Sequence, residues 1–427
     1  MRLRVLHLVR LACASLVCGS GTQAVAAQQG ISALPLAPPS RLSELPKNAP
    51  LYPSIRNIPA TTGQANMRPS PMPFGTIGLG TFNSPFAIAV LPDDSGILVT
   101  EKAGLLKLRR SDGRITTISG LPDVKAGGQG GLLDVAIAPS YATSRAIYLS
   151  YAEPAEGGSQ LTLARAVLDV QSRTLRDLTV IWRSGSSGVG GQFGAKILFA
   201  PDGKSLFLSA GERQRFTPAQ DPDQALGKIL HLTLDGRAAP GNPMAGGGTV
   251  ESMTWSTGHR NPYGLAFAPD GRLWEEEMGP KGGDEVNLIL PGRNYGWPIV
   301  SNGDNYSGQP ILRHPSRPDF EAPKLWWNPA VSPSGMIYYS GSRFPSLKGS
   351  LLICTMSNPG LAQVGVTGDN ARAVAFFHSD KRLRDIAQGP SGEIYLIEDG
   401  DGALAALTLG RDHIATAAAL PAGGPGV

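Results

Sequence analysis

A strand–turn–strand unit recurs along the middle of this chain. In each copy an apolar alternation, typical of a strand with one buried face, leads into a short turn, and a second apolar run follows. Pro presets the first position of the turn in five copies, and Asp-Gly closes two of these turns, so each copy predicts a β-hairpin. The copies are residues 87–100, 135–149, 197–208, 265–274 and 386–396, with a weaker one at 335–353.

The spacing of these units indicates which repeat architecture they build. The turn residues Pro92, Pro139, Pro201 and Pro269 lie 47, 62 and 68 residues apart, which is too irregular for a solenoid of fixed period. Six sheet-like units with insertions of variable length are typical of a propeller in which each unit is one blade. We therefore predict an all-β fold, a six-bladed β-propeller. A β-sandwich with coincidental turns is the alternative.

Composition agrees with one large domain rich in turns. The 427 residues include 54 Gly and 36 Pro, which interrupt helices, while 41% hydrophobic residues still permit a core. Without three arginines near the start, 35 basic residues face 34 acidic ones, and a near-neutral chain with no basic run does not indicate nucleic-acid binding. Cys354 lies in an apolar run and is expected to be a buried small residue, and no His/Cys spacing suggests zinc.

The two ends of the chain differ from its middle. Residues 1–27 are typical of a secretory signal, with Arg2 and Arg4, an apolar stretch and Ala-Val-Ala before a cleavage site. A lipid anchor at Cys18 and a plain N-terminal extension are the alternatives. Residues 28–75 are Pro-rich and predict a linker or loosely adhering arm, and residues 411–427 predict a flexible tail, which leaves 76–410 for the propeller. No later apolar run reaches the roughly 18 residues of a membrane span. With the signal sequence, we expect a periplasmic or secreted protein.

Residues 258–298 hold the densest group of chemically useful side chains. Arg260 offers a planar fork for carboxylates. The Gly279-Pro280 pair presents backbone carbonyls, and Asp284 and Glu285 follow closely. Carbonyl and carboxylate oxygens are the ligands that Ca²⁺ prefers, although the spacing is not that of an EF-hand loop. Taken alone, these residues predict either a calcium site or a solvated acidic turn.

Several motifs, taken as a set and in this order, resemble the soluble glucose and aldose-sugar dehydrogenases that use pyrroloquinoline quinone (PQQ), the glucose/sorbosone dehydrogenase family. The resemblance covers roughly residues 80–410. The matching stretches are 99–102 (VTEK), 128–134 (GQGGLLD), 220–223 (QDPD), 258–262 (GHRNP), 279–287 (GPKGGDEVN), 294–298 (NYGWP) and 382–385 (RLRD).

The resemblance implies a fold, a reaction and a set of roles. Family members are six-bladed propellers, usually exported, and they oxidise the C1 hydroxyl of an aldose to a lactone with PQQ and Ca²⁺. The carbonyls of Gly279 and Pro280 would hold the catalytic Ca²⁺. The other implied roles are a second Ca²⁺ at Asp284, Glu285 and the Tyr295 carbonyl; cofactor contacts at Arg260, Asn261, Lys196, Arg382 and Arg384; and a sugar contact at Gln129. The expected partners are a sugar and an unidentified electron acceptor, with the protein a monomer or homodimer.

The departures from the family pattern fall on catalytic positions. Where the family has His-x-Gly-Gly-Arg-Leu, with the His as general base, this chain has Gln192 at the base position and Lys196 in place of Arg. A neutral amide cannot accept a proton as imidazole does. Glu212 is the nearest substitute base, with His259 the second candidate. The further departures are Met278, Ser357 in place of a cofactor-facing Lys, and Ala330 in place of a Thr.

Two functions therefore remain open from the sequence. The first is an aldose dehydrogenase with an altered pocket, in which Gln192, Glu212 and Arg260 are the catalytic group. The alternative is a non-catalytic propeller that binds a sugar, cell-wall material or a protein partner. A hydrolase has little support, because no base or nucleophile can be named for it.

Overall fold

The computed structural model describes residues 63–65, 68–400 and 402–409, and over this range the chain is almost entirely β-strand. The predicted signal sequence, most of the Pro-rich arm and the predicted tail lie outside the described residues. Six sheets of four or five strands are present. The innermost strands of successive sheets contact one another in a closed ring, which confirms the predicted six-bladed β-propeller.

Each blade follows chain order from the ring axis outwards. The inner strands of blades 1 to 6 are β4 (Pro85–Val90), β8 (Leu132–Ile137), β12 (Gly194–Phe199), β16 (Pro262–Phe267), β20 (Pro333–Tyr339) and β24 (Leu383–Gln388). The second strands are β5 (Gly96–Glu101), β9 (Ala146–Ala155), β13 (Ser205–Ala210), β17 (Leu273–Glu277), β21 (Ser350–Thr355) and β25 (Ile394–Glu398). The third strands are β6 (Leu105–Arg110), β10 (Gly158–Asp169), β14 (Lys228–Thr233), β18 (Asp284–Ile289), β22 (Gly360–Thr367) and β26 (Ala403–Leu409).

The outer strands of blades 1 to 5 are β7 (Ile115–Ile118), β11 (Thr174–Arg183), β15 (Thr254–Thr257), β19 (Leu325–Trp327) and β23 (Asn370–His378). Helix is confined to α1 (Tyr141–Ser144) and the 3₁₀ turns Thr217–Gln220, Glu251–Met253 and His314–Ser316 among the described residues. All six hairpins expected from the sequence are the inner strand pairs of the blades. None of the helices described here is long and apolar enough to cross a membrane.

The outer strand of blade 6 comes from the other end of the chain. Strand β3 (Phe74–Thr81) pairs antiparallel with β26, so that Phe74 lies opposite Leu409 and Thr81 opposite Ala403. This pairing closes the ring between its first and last blades. Strand β3 begins two residues before the expected propeller boundary at residue 76.

The described end of the Pro-rich arm pairs with the sheets. Strand β1 (Gly63–Gln64) runs parallel to β19 at the outer edge of blade 4, and β2 (Ser70–Pro71) runs parallel to β23 at the outer edge of blade 5. Ala65 continues the first contact, because its N–H donates to the carbonyl of Trp326 at 2.8 Å.

Every inner strand pair carries a bulge close to the start of its inner strand. The register shifts lie between Pro85 and Ile88, Leu132 and Val135, Gly194 and Ile197, Pro262 and Gly264, Pro333 and Gly335, and Leu383 and Asp385. A bulge bends a strand and turns its side chains out of the regular alternation. The six inner strands all run in the same direction along the ring axis. The residues that precede them therefore lie together at one end of the ring.

Candidate active site

Gln192 lies at the centre of this end of the ring, two residues before β12. Gln192 is buried, and its backbone lies in the left-handed region, with φ 54°. In the amide orientation that satisfies both neighbours, Nε2 donates to Glu212, and Oε1 accepts from Arg260 Nη2 at 2.7 Å. The amide thus bridges a carboxylate and a guanidinium, which an amide can do because it both donates and accepts.

The predicted sugar contact Gln129 is joined to this group. Its Oε1 accepts from the backbone N–H of Gln192 at 2.6 Å and from the Tyr263 hydroxyl at 3.4 Å. Gly191 makes the approach possible, since a Cβ there would lie 2.8 Å from the Gln129 amide. Gln129 therefore lines the same pocket as Gln192.

Glu212 is buried directly behind Gln192. Its Oε2 accepts from the backbone N–H groups of Arg215 and Phe216. Burial raises the pKa of Glu212 above its ordinary value, and the hydrogen bonds and the Arg260 charge only partly oppose this effect. A carboxylate whose pKa moves towards neutrality is better suited to hold and release a proton.

Arg260 stands between two aromatic rings at the pocket wall. Its guanidinium lies 5.3 Å from the Trp297 ring centre and 5.9 Å from that of Tyr306. Nη1 donates to the Met278 carbonyl at 2.9 Å, while the buried Nε donates no hydrogen bond to any of the described residues. The neighbouring Asn261 accepts from the Gly194 N–H at 3.2 Å, so it braces the start of β12.

Arg384 is joined to Gln129 through the Tyr263 ring, and Arg382 lies beside it at the Met356 sulfur. Arg384 is buried over the ring of Phe86 at 4.6 Å and that of Tyr263 at 5.4 Å. Its Nη1 contacts the Met356 sulfur at 3.5 Å. Its Nε lies 3.8 Å from Asp399 Oδ1 and donates no hydrogen bond within the described part of the chain. Arg382 binds Asp399 at 2.9 Å and also reaches the Met356 sulfur, at 3.6 Å.

Sequence reasoning assigned no role to several residues that lie around Arg384. Lys102 is one of them, and its pKa is lowered by burial and by the charge of Arg384. Phe86, Tyr263 and Met356 are the others. Lys102 stands in one of the family-like motifs, which is the signal that could have found it. The aromatic and thioether contacts carry no local sequence signal, because they come from three different blades.

Lys196 lies beneath the pocket, towards the ring axis. Its Nζ binds Asp134 Oδ1 at 3.1 Å and lies 3.9 Å from Asp385 Oδ1. Burial would lower the pKa of Lys196, but these two carboxylates raise it above the ordinary value. The ammonium thus joins blades 2, 3 and 6, and its expected cofactor contact stays a prediction.

The carbonyls of Gly279 and Pro280, predicted to bind calcium, accept no hydrogen bond from the described residues. Asp284 is differently placed, because its oxygens accept from the N–H groups of Gly279 at 2.8 Å and of Val331 and Ser332 at 2.7 Å. Burial raises the pKa of Asp284 to about 6. Asp284 therefore fixes the Gly279 turn in this structure, and its role as a calcium ligand stays a prediction.

Glu285 and Tyr295 lie beside a cavity of about 10 Å³ that Glu277 also lines. That volume is close to the space of one water molecule or ion. Next to it, potential ligand atoms of His259, Glu275 and Glu277 lie within 4.8 Å of one another, and all three residues are buried. One oxygen of Glu275 has no hydrogen-bond partner. His259 faces Glu277 at 3.3 Å, so it belongs to this buried group and does not contact Gln192.

Another cavity among the described residues lies elsewhere. It has a volume of about 710 Å³ and opens among the hairpin turns of blades 3 and 4, where Pro201 and Asp270 line it. None of the predicted site residues lines this cavity. Those turns are at the opposite ends of the inner strands from Gln192 and Arg260, so the cavity is separate from the candidate site.

Comparison with known proteins assigns this propeller to a class. Residues 82–406 match the family model described as glucose / sorbosone dehydrogenase. The chain belongs to that family. It is 36% identical over 324 residues to the aldose sugar dehydrogenase YliI of Escherichia coli K12, covering 74% of this chain and 87% of the relative.

Solved structures agree with this assignment. The apo-form crystal structure of the soluble aldose sugar dehydrogenase of Escherichia coli aligns with a TM-score of 0.74 at 33% identity, covering 79% of this chain and 99% of the other. The PQQ-bound aldose sugar dehydrogenase of Streptomyces coelicolor aligns with a TM-score of 0.65 at 28% identity, with the same coverage of both chains.

Proposed function

We propose that this protein is an exported aldose sugar dehydrogenase that binds PQQ and Ca²⁺ and has an altered proton-accepting group. The observation that carries the proposal is the pair of buried guanidinium groups of Arg260 and Arg384. A chain of contacts through Tyr263, Gln129 and Gln192 links them, and the Nε of each donates no hydrogen bond to a described residue. Family membership and the aldose sugar dehydrogenases among the relatives support it.

The donor set fits an anionic planar cofactor. PQQ is a tricarboxylate, and Arg260, Arg384, Arg382 and Lys102 supply cationic donors around the pocket, with Asp399 as the carboxylate in contact with two of them. Arg384 contacts aromatic faces and the Met356 thioether, which is a weak acceptor, and its Nε lies 3.8 Å from Asp399 Oδ1, beyond hydrogen-bond distance. These guanidinium groups therefore retain the capacity to pair with carboxylates.

The oxygen atoms near Gly279 fit calcium. Two adjacent carbonyls without donors, together with the buried carboxylates of Glu277 and Glu285 beside a cavity of one-ion size, form the hard donor set that Ca²⁺ takes. We assign Gly279 and Pro280 to the cofactor's Ca²⁺. We keep Glu285 and the Tyr295 carbonyl for the second ion, with Asp284 acting on the Gly279 turn.

The reaction needs a hydride acceptor and a proton acceptor. When bound, PQQ supplies the hydride acceptor, and Ca²⁺ increases its electrophilicity. Arg260 orients the reacting end of the pocket and balances the charge that develops there. We assign the proton of the aldose C1 hydroxyl to the Glu212 carboxylate, reached beside the Gln192 amide, because Glu212 is the carboxylate in contact with Gln192.

The test is a PQQ titration of the purified protein in Ca²⁺, followed by absorbance and by dye reduction with aldoses. Tight binding with turnover, both reduced in Arg384→Ala, is the expected result. Arg114→Ala provides a control, because Arg114 is an exposed arginine paired with Asp112 far from the pocket. Absence of PQQ binding at micromolar concentrations would contradict the proposal.

A non-catalytic sugar-binding propeller is the second candidate. Gln192 at the base position favours it, because losing a positioned base costs about 10²–10⁴ in rate. This candidate predicts that aldoses bind with no dye reduction, whatever the PQQ concentration. Turnover that Arg384→Ala abolishes would exclude it.

A further inference from the structure

The chain between β18 and β19 carries a braced loop beside the candidate site. Its base is an antiparallel bridge in which Lys281 N–H donates to the Asp304 carbonyl at 2.9 Å, and Asp304 N–H returns a bond at 3.2 Å. Its tip is closed by Asn305 N–H to the Gln309 carbonyl at 3.0 Å and Gly308 N–H to the Asn305 carbonyl at 2.8 Å. The loop thus has its own hydrogen-bond framework.

Arg313 fixes this loop from within. Its Nη1 donates to the Ser301 carbonyl at 2.9 Å and also contacts the Gly303 carbonyl, and its Nη2 binds Asp304 Oδ1 at 2.5 Å. A guanidinium can hold several acceptors at once in a fixed plane. The tip of the loop is therefore presented in a defined position.

Tyr306 stands at that tip with 60% of its surface exposed. Its hydroxyl accepts a long hydrogen bond, 3.4 Å, from Arg260 Nη2, the same nitrogen that contacts Gln192. Arg260 itself is only 5% exposed, and the ring on its other side, Trp297, is 4% exposed. Of the two aromatic rings beside Arg260, Tyr306 is thus the one exposed to solvent.

Single exposed apolar residues are common and need no explanation. Leu312, in the same insertion, is 48% exposed, and its carbonyl accepts from the Ser301 N–H at 2.9 Å. Tyr306 differs from it in two ways, because its loop is braced and its hydroxyl contacts the arginine of the candidate site. A tyrosine side chain combines an apolar ring with a terminal hydroxyl group. It therefore suits a ligand that has an apolar face and hydroxyl groups.

We propose that Tyr306 is a specificity-determining residue that stacks its ring against the C–H face of the sugar and holds it over Arg260. This proposal rests on the proposed function for the sugar class, but it concerns binding and not the redox step. The stacked ring would extend the recognition surface outwards from Gln129 and Gln192. Sugars lacking a C–H face of pyranose size would gain nothing from it.

The experiment compares Tyr306→Ala and Tyr306→Phe with the unmodified protein, all loaded with PQQ and Ca²⁺. Dissociation constants for D-glucose and cellobiose are measured by calorimetry, and KM and kcat by dye reduction. We expect Tyr306→Ala to raise both the dissociation constant and KM about tenfold, the scale of one aromatic contact, with kcat changed less than about twofold. Tyr306→Phe keeps the ring and should stay within about threefold of the unmodified protein.

Leu312→Ala is the matched control, and it should leave every constant unchanged. Melting temperatures of all variants establish that each is folded. Equal losses in Tyr306→Phe and Tyr306→Ala would overturn the proposal, since the hydroxyl and not the ring would then matter. Unchanged binding in Tyr306→Ala, or no sugar binding by the unmodified protein, would overturn it as well. Sugar binding that depends on Tyr306 without any turnover would contradict only the proposed dehydrogenase function.

Discussion

At the scale of single residues, the proposed chemistry depends on Gln192, an amide at the position where the family resemblance implies a histidine base. The Gln192 amide bridges Glu212 and Arg260, so it preserves the hydrogen-bond connection between a carboxylate and a guanidinium while removing a titratable group. The Gln192 amide can hydrogen-bond a polar substrate. The capacity to accept a proton then rests on the Glu212 carboxylate behind it.

Replacing Gln192 by histidine should restore a proton acceptor at that position. Glu212 would hold the imidazole through a hydrogen bond, as it now holds the amide. We expect kcat for aldoses to rise in Gln192→His, by up to about 10²–10⁴ if proton abstraction limits the unmodified protein. Steady-state dye reduction measures it, with Gln192→Asn as a non-titratable control. A rate equal to that of the unmodified protein would show that position 192 does not limit the chemistry.

The pH dependence should report Glu212. Its pKa is raised by burial, and a base acts only when deprotonated, so kcat/KM should increase with pH through a midpoint above the ordinary glutamate value of 4.5. Because the folded protein keeps this proton to higher pH than the unfolded chain does, the unfolding free energy should decrease as pH rises through the same window. Glu212→Gln should lose most of the activity and flatten this part of the stability profile. A profile identical in the two proteins would remove Glu212 from the role.

At the scale of strands and blades, the bulges at the inner strands determine what meets at the axis. Asp134, Lys196 and Asp385 come from inner strands of three blades and form one ion-pair group, in which the two carboxylates are buried and the ammonium is partly exposed. Each carboxylate also accepts a backbone N–H, from Ile197 at 2.8 Å and from Ile88 at 2.9 Å. The group therefore couples strand register to the packing of neighbouring blades.

Removing the cation from this group should destabilise the ring. In Lys196→Met two buried carboxylates lose their counter-charge, so we expect a loss of about 3 kcal/mol or more in unfolding free energy. Lys196→Arg keeps the charge and should lose less. Urea denaturation measures the difference, and Arg114→Met, which removes an exposed ion pair, should leave stability unchanged. Equal stability of Lys196→Met and the unmodified protein would contradict the assigned linkage.

At the scale of the whole molecule, calcium should stabilise the fold even if turnover is absent. Ligands that bind only the native state add about 2.7 kcal/mol at 100 times their dissociation constant. We therefore expect the melting temperature to be higher by a few degrees in excess Ca²⁺ than in excess chelator. The difference should shrink in Glu285→Gln and persist in Asp112→Asn, which alters an exposed carboxylate. Identical melting temperatures with Ca²⁺ and chelator would contradict both assigned ion sites.

The sequence by itself determined the architecture. Turn chemistry and apolar alternation are local signals, and all six hairpins identified from them are the inner strand pairs of the blades. The motifs that resemble the glucose/sorbosone dehydrogenase family were also readable, and the match over residues 82–406 confirms that assignment. The departure from the family pattern at Gln192 was inferred from the register of the flanking residues, and it stays a prediction.

Only the tertiary structure decided what these residues touch. In the structure Lys196 pairs with Asp134 and Asp385, and Asp284 accepts from three backbone N–H groups. His259 lies with Glu275 and Glu277. It also set Phe86, Met356 and Tyr306 against arginines that lie far away in the sequence. The physical reason is that blade order and bulge geometry determine which of these side chains meet. Strands from different blades come together only when the ring closes, and no local sequence pattern encodes the distance between them.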